Sequence, residues 1–232
     1  MRRAAKRMAW LIVPIVGPVI STVGCGAKGK TGEATSDKSP IVKTQFDTEK
    51  EPAITAETRY AAGQLAESQN NPAVAIKQYE EALRLKSDHV PALYRLGVVQ
   101  AQVKQYPKAI ETWKRYLKAT HDSANGYGNL GFCYELSGDW QAAEGAYQKG
   151  IANDPKSQPC RVNYGLMLAR QDRMTDAITQ LRAVLTPAEV SYNIGSVHEM
   201  KGRKEQAKAE YRKALALDPD LADATARLAA LE

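Results

Sequence analysis

Small and large apolar residues return along this chain with a long, fixed period. Glycine stands at 63, 97, 131, 165 and 195, at intervals of 34, 34, 34 and 30 residues. Twelve residues after each comes an alanine (Ala75, Ala109, Ala143, Ala177, Ala207). Sixteen after each comes a large apolar side chain (Tyr79, Trp113, Tyr147, Leu181, Tyr211). Each unit divides into two stretches of helical apolar spacing, separated by polar turns such as Ser137-Gly138-Asp139 and Lys201-Gly202-Arg203. The period therefore predicts an antiparallel helix pair per unit. The small Gly and Ala let the two helices approach, and the large residue fills the space beyond. One pair cannot bury its apolar face alone, so successive pairs must stack.

After Pro219, the residues Leu221, Ala224, Leu228 and Leu231 recur at helical spacing and predict a helix that covers the end of the stack. The expected fold is all-α: an α-solenoid of five helix pairs plus a C-terminal capping helix, over residues 56–232. Its units lie near 56–89, 90–123, 124–157, 158–187 and 188–221, with the cap at 221–231. The fourth unit is four residues short, and the deletion falls near Leu185-Thr186-Pro187. Four residues are about one helical turn, so a helix can lose them without rotating its buried face.

The first 55 residues read differently. Arg2, Arg3, Lys6 and Arg7 precede an apolar run, Ala9 to Ile20, which is broken by Pro14 and Pro18. That run is shorter than the ~20 residues a spanning helix needs, and it has the layout of a secretory signal. Thr22-Val23-Gly24-Cys25 follows, and resembles the lipobox of bacterial lipoproteins, although Thr22 departs from the usual Leu. The resemblance implies a signal at 1–24 and a lipid on Cys25. An ordinary cleaved signal and an uncleaved anchor are the alternatives. Gly26 offers no Asp retention signal, so the resemblance implies an outer-membrane lipoprotein facing the periplasm; secretion or inner-membrane anchoring remain open. Residues 25–55 are rich in Gly, Thr, Ser, Lys and Pro and read as a flexible linker, reaching roughly 100 Å if extended.

Charge and candidate chemistry narrow the function further. The net charge is +6, but Arg2, Arg3, Lys6 and Arg7 supply most of it ahead of the apolar run. The repeat region is nearly neutral, so no nucleic-acid partner is expected. Gly24 to Thr31 fits the phosphate-loop pattern G-x-x-x-x-G-K-[ST], yet no apolar-periodic helix follows to aim its backbone N–H groups at a phosphate. A nucleotide-binding enzyme is therefore a remote reading. His89, His121 and His198 share no ligand spacing and read as surface or groove residues, and Asp218-Pro219-Asp220 reads as a turn. Cys133 and Cys160 would stand about 10 Å apart along parallel helices, too far for a disulfide, and read as buried or half-buried thiols. No catalytic residue, metal site or cofactor is expected.

Two units carry the fullest pattern: Leu130-Gly131-Phe132-Cys133-Tyr134 with Ala143, Tyr147 and Pro155, and Ile194-Gly195 with Ala207, Tyr211 and Pro219. These resemble the tetratricopeptide repeat (TPR) family, as do residues 56–220 as a whole. Units one, two and four depart from it in lacking the closing proline. The resemblance implies that the first helix of each pair lines a concave groove and that the protein binds a protein or peptide there. Counting each unit from seven residues before its glycine, the sixth position holds Ala61, Arg95, Asn129, Asn163 and Asn193. The asparagine run resembles the ladder with which a TPR glycosyltransferase grips peptide backbone. An amide offers both donor and acceptor to any extended peptide, although Asn can equally bond within the repeat. The fifth position adds Tyr60, Tyr94 and Tyr192, amphipathic rings suited to recognition. The candidate groove is thus Asn129, Asn163, Asn193, Arg95, Tyr60, Tyr94 and Tyr192. The implied role is a lipid-anchored envelope scaffold, on the pattern of lipoproteins that assist pilus or secretion-machinery assembly. The alternative is a structural solenoid that self-associates through its ends.

Overall fold

The computed structural model of the protein describes residues 53–232, and the Cys25 lipobox, the Gly24–Thr31 motif and most of the linker lie outside them. Eleven α-helices and no strand occur among the described residues. Five of them form an inner row: α1 (Ala56–Ser68), α3 (Val90–Gln102), α5 (Ala124–Leu136), α7 (Gln158–Arg170) and α9 (Pro187–Met200). Each is followed by an outer partner: α2 (Pro72–Leu85), α4 (Tyr106–Ala119), α6 (Trp140–Asn153), α8 (Met174–Arg182) and α10 (Lys204–Leu217). Helix α11 (Ala222–Leu231) packs on α10 and closes the stack. The fold is the all-α solenoid expected. Inner helices α5, α7 and α9 pack on one another along the stack, whereas the outer helices pack mainly on inner ones.

Glycine sets the closeness of each pair. A Cβ added at Gly97 would lie 2.6 Å from the Trp113 ring, and one at Gly131 would lie 2.6 Å from Tyr147. The same added atom at Gly165 or Gly195 would meet Leu181 or Tyr211 at 2.8 Å. No carbon fits at such distances, so the eighth position is glycine because the large residue sixteen places on presses against its backbone. Ala75, Ala109, Ala143, Ala177 and Ala207 are all fully buried. Tyr79, Trp113, Tyr147, Leu181 and Tyr211 are too.

The turn inside each pair is also built one way throughout. Seven residues after each of these glycines the backbone is left-handed: Asn70, Lys104, Gly138, Asp172 and Gly202 have φ of 54°, 61°, 87°, 62° and 72°. Only two of the five are glycine, which tolerates this conformation without a steric cost. Polar caps start many of the helices. Thr55, Asn71, Ser123 and Asp139 each accept a backbone N–H three residues on, and Thr186 forms a reciprocal capping box with Glu189.

Two sequence expectations need adjustment. The deletion in the fourth unit falls on α8, which has 9 residues where the other outer helices have 14, so it loses rather more than one turn. His89 is not a surface or groove residue. It is buried as the N-cap of α3, its Nδ1 accepting the Ala92 N–H at 3.1 Å, and its ring lies 5.3 Å from that of Tyr60. Cys133 and Cys160 are free and buried, as expected. Burial pushes the Cys133 thiol up to about 12, and the Cys160 thiol bonds the Ala124 carbonyl at 3.1 Å.

Candidate peptide-binding groove

The three asparagines occupy one register position on α5, α7 and α9, which pack on one another, so the fold brings them to one face of the inner row. All three are half-buried. Asn129 donates its amide N–H to the Asn125 carbonyl at 3.1 Å, and Asn193 donates to the Glu189 carbonyl at 2.8 Å. In both, one of the two amide N–H donors is spent on the preceding helical turn. Their side-chain carbonyls have no hydrogen-bonding partner among the described residues, so each still offers an acceptor and one donor to the groove. Asn163 makes no side-chain hydrogen bond among the described residues.

The tyrosines are anchored rather than free-standing. Tyr60 leans on Tyr79 with ring centroids 5.7 Å apart, Tyr94 meets Trp113 edge-on at 5.4 Å, and Tyr192 lies 5.8 Å from Tyr211. Each fifth-position ring therefore rests on the large residue of its own pair and is half-buried. Resting on a buried ring fixes its rotamer and lowers the entropy lost when a ligand docks.

Arg95 is committed elsewhere. Its guanidinium forms an ion pair with Glu67 on α1, with Nε donating to Oε1 at 2.9 Å, and Glu67 also accepts the Tyr79 hydroxyl. The arrangement recurs at alternate junctions. Tyr147 donates to Glu135 at 3.3 Å, and Glu135 pairs with Arg170 of the next unit. Tyr211 donates to Glu199 at 2.6 Å, and Glu199 pairs with Arg227 of the cap. Burial, then the carboxylate beside it, raises the pKa of each of these tyrosines. Burial likewise raises that of Glu135, with Arg170 opposing. Sequence reading passed over this network, although its signal was present: glutamate stands four residues after the glycine in units one, three and five.

Sequence reading also passed over the apolar surface of the groove. At the ninth and thirteenth positions Phe132 and Leu136 are 40% exposed and Met200 is 61% exposed, with Leu166 half-buried among them. These positions are set by the count from the repeating glycines, and they give α5, α7 and α9 an apolar strip beside the asparagines. Among the described residues no group of His, Cys, Asp and Glu could hold a metal ion. Asp218 instead accepts the Asp220 N–H at 3.2 Å and closes a turn.

Stacked helix pairs with a patterned inner face define an α-helical repeat protein. The tetratricopeptide repeat family profile matches residues 60–126, 104–158 and 134–191, and a second profile of the same description matches 188–221. The chain belongs to the tetratricopeptide repeat family, whose members bind proteins or peptides. It is 26% identical over 169 residues to tetratricopeptide repeat protein 8 of Caenorhabditis elegans, covering 70% of this chain and 33% of that protein. It is 28% identical over 120 residues to the general transcriptional corepressor ssn6 of Schizosaccharomyces pombe, covering 51% of this chain and 11% of that protein. The chain thus spans a third or less of these relatives. Among solved structures it resembles YrrB, described as a TPR protein with an unusual peptide-binding site, at 24% identity and TM-score 0.51, covering 74% of this chain and 91% of that one. It also resembles MamA at 23% identity and TM-score 0.58, covering 72% and 93%. Likeness at these identities establishes the fold.

Proposed function

We propose that the protein is a scaffold that holds an extended peptide or protein segment in the groove across α5, α7 and α9. The observation that carries this reading is the pairing of unspent asparagine carbonyls with an exposed apolar strip on one face. Asparagine oxygens would accept backbone N–H groups of any extended chain, and the remaining amide N–H of each would donate to its carbonyls. Phe132, Leu136 and Met200 would take up its apolar side chains. YrrB, with its peptide-binding site on the same fold, supports a peptide as the occupant. The sequence before residue 56 adds an envelope location through a lipid on Cys25, and with it a role in assembling envelope machinery such as pili or secretion systems.

The test has two arms. Capture from envelope extracts with the full chain, against the triple Asn129→Ala, Asn163→Ala, Asn193→Ala variant, identifies the partner as the protein lost in the variant. Fatty-acid metabolic labelling of wild type and Cys25→Ser tests the anchor, and labelling that persists in the variant removes it. Self-association through the cap finds less support. Ala224 is buried and Leu221, Leu228 and Leu231 are partly buried, so the apolar strip of α11 is turned inward.

A further inference from the structure

The outer face holds a second feature, independent of the groove. Between α4 and α6, over α5, lies an open recess of about 730 Å³. Its floor is Tyr127, Leu130 and Tyr134, and its rim carries Lys114, Lys118 and Lys149. Gly145 explains why the recess is here. A Cβ added to it would meet nothing within 4 Å, and the equivalent residues of the other units are Lys77, Glu111, Thr179 and Ala209. Four of the five units therefore put a side chain where this one leaves space.

The charge of the recess is positive on balance: three lysines line it against one carboxylate, Asp122, which accepts the Tyr127 hydroxyl at 3.0 Å. Lys114 donates to Glu111 at 2.7 Å, but Lys118 and Lys149 have no ion-pair partner among the described residues. The imbalance coincides with a gap in the stack. Ion pairs cross the junctions between units one and two, three and four, four and five, and between unit five and the cap. Among the described residues none crosses the junction between units two and three, where Lys118 stands on one side and Lys149 on the other. Asp122 pairs with neither lysine, so carboxylates from a partner would complete them.

We propose that this recess docks an acidic segment of a partner protein, whose Asp or Glu side chains bridge Lys118 and Lys149 while its backbone lies over Tyr127 and Tyr134. Charge complementarity favours this occupant. A nucleic acid needs a track of cations along its phosphates, and on the outer helices Glu81, Glu144 and Glu205 interrupt any such track. A membrane surface needs protruding apolar side chains, whereas these tyrosines are half-buried and the lysines around them exposed.

The experiment is fluorescence anisotropy with the full chain and a labelled peptide of alternating Glu and Ala. Its Lys–Ala counterpart and a single-stranded oligonucleotide serve as competing probes. The acidic peptide should bind, and binding should weaken with salt. Lys118→Glu with Lys149→Glu should lower the affinity at least tenfold, while Lys77→Glu with Lys204→Glu, the same charge change elsewhere, should leave it nearly unchanged. Gly145→Gln fills the recess with a better helix former, so it should lower the affinity while keeping or raising the melting temperature. Equal losses from both charge pairs, undiminished binding in Gly145→Gln, or tighter binding of the oligonucleotide would each overturn the proposal.

Discussion

Arg170 reaches Glu135 from the thirteenth position of its unit, two turns further along the inner helix than the sixth-position site from which Arg95 reaches Glu67. The junction between units three and four is thus closed by an arginine that leaves the sixth position free. That position in the fourth unit is Asn163, the middle member of the ladder. Moving the arginine along the helix keeps the clamp on the buried glutamate and gives the groove its third amide.

The clamp predicts a pH dependence. Burial raises the Glu135 pKa above its ordinary 4.5, and Arg170 opposes that rise. In Arg170→Met the carboxylate loses its partner, and its folded-state pKa should rise further. Removing one member of a buried pair costs about 3–5 kcal/mol, reduced here because Arg170 is 24% exposed. A raised acid pKa contributes stability below the unfolded value and loses it as pH rises through the folded value. Urea titrations of Arg170→Met should therefore show its deficit at pH 7 shrinking as the pH falls toward 4.5. A deficit that is constant with pH would place the loss in packing instead.

Gly131 and Gly145 should respond oppositely to alanine. At Gly131 the new methyl group meets Tyr147, and relieving the overlap should cost about 1–3 kcal/mol. At Gly145 it meets open space, and alanine should add roughly 0.5–1 kcal/mol through helix propensity. Paired denaturant midpoints check the sign of each.

Lys104 occupies a left-handed turn position that units three and five fill with glycine. Lys104→Gly should stabilise the protein by about 1 kcal/mol, since the steric cost at a non-glycine left-handed residue is ~1–2 kcal/mol and glycine returns part of the gain as unfolded-state entropy. Gly138→Ala should lose a comparable amount. Melting curves of the two variants should move in opposite directions.

The triple Asn→Ala variant should weaken the groove's ligand and spare the fold. Each lost hydrogen bond to peptide backbone costs about 0.5–1.5 kcal/mol, so three cost roughly 1.5–4.5 kcal/mol if additive, ten- to a thousand-fold in affinity. The amides bond only within their own helices, so the melting temperature should hold. A collapse on heating would mean that they tie units together.

The helix pairs were legible because their cause is periodic: a glycine and the large residue sixteen places on, Gly131 and Tyr147 in unit three, must meet in every unit, and that need writes itself at fixed offsets. The sixth-position residues were legible for the same reason. What they do was not, because function there depends on neighbours a whole unit away. Arg95 and Asn129 share a position, yet one is spent on Glu67 and the other faces the groove, and only the packing of one helix on the next decides which. The recess is hidden more deeply. It is made by the missing side chain of Gly145 and by lysines from two units, and an empty space has no letter in a sequence.

The uneven spread of ion pairs also fixes how the molecule should respond to tension. A pull along the stack is resisted by charged clamps at every described junction but that between the second and third units, which apolar packing and the loop bonds to Asp122 hold together. High salt should therefore weaken every described junction but this one, which divides a block bearing Tyr60 and Tyr94 from a block bearing all three asparagines. A ligand bridging Lys118 and Lys149 would act as a rivet across the seam, so that occupancy of the outer recess would add to the force at which it yields.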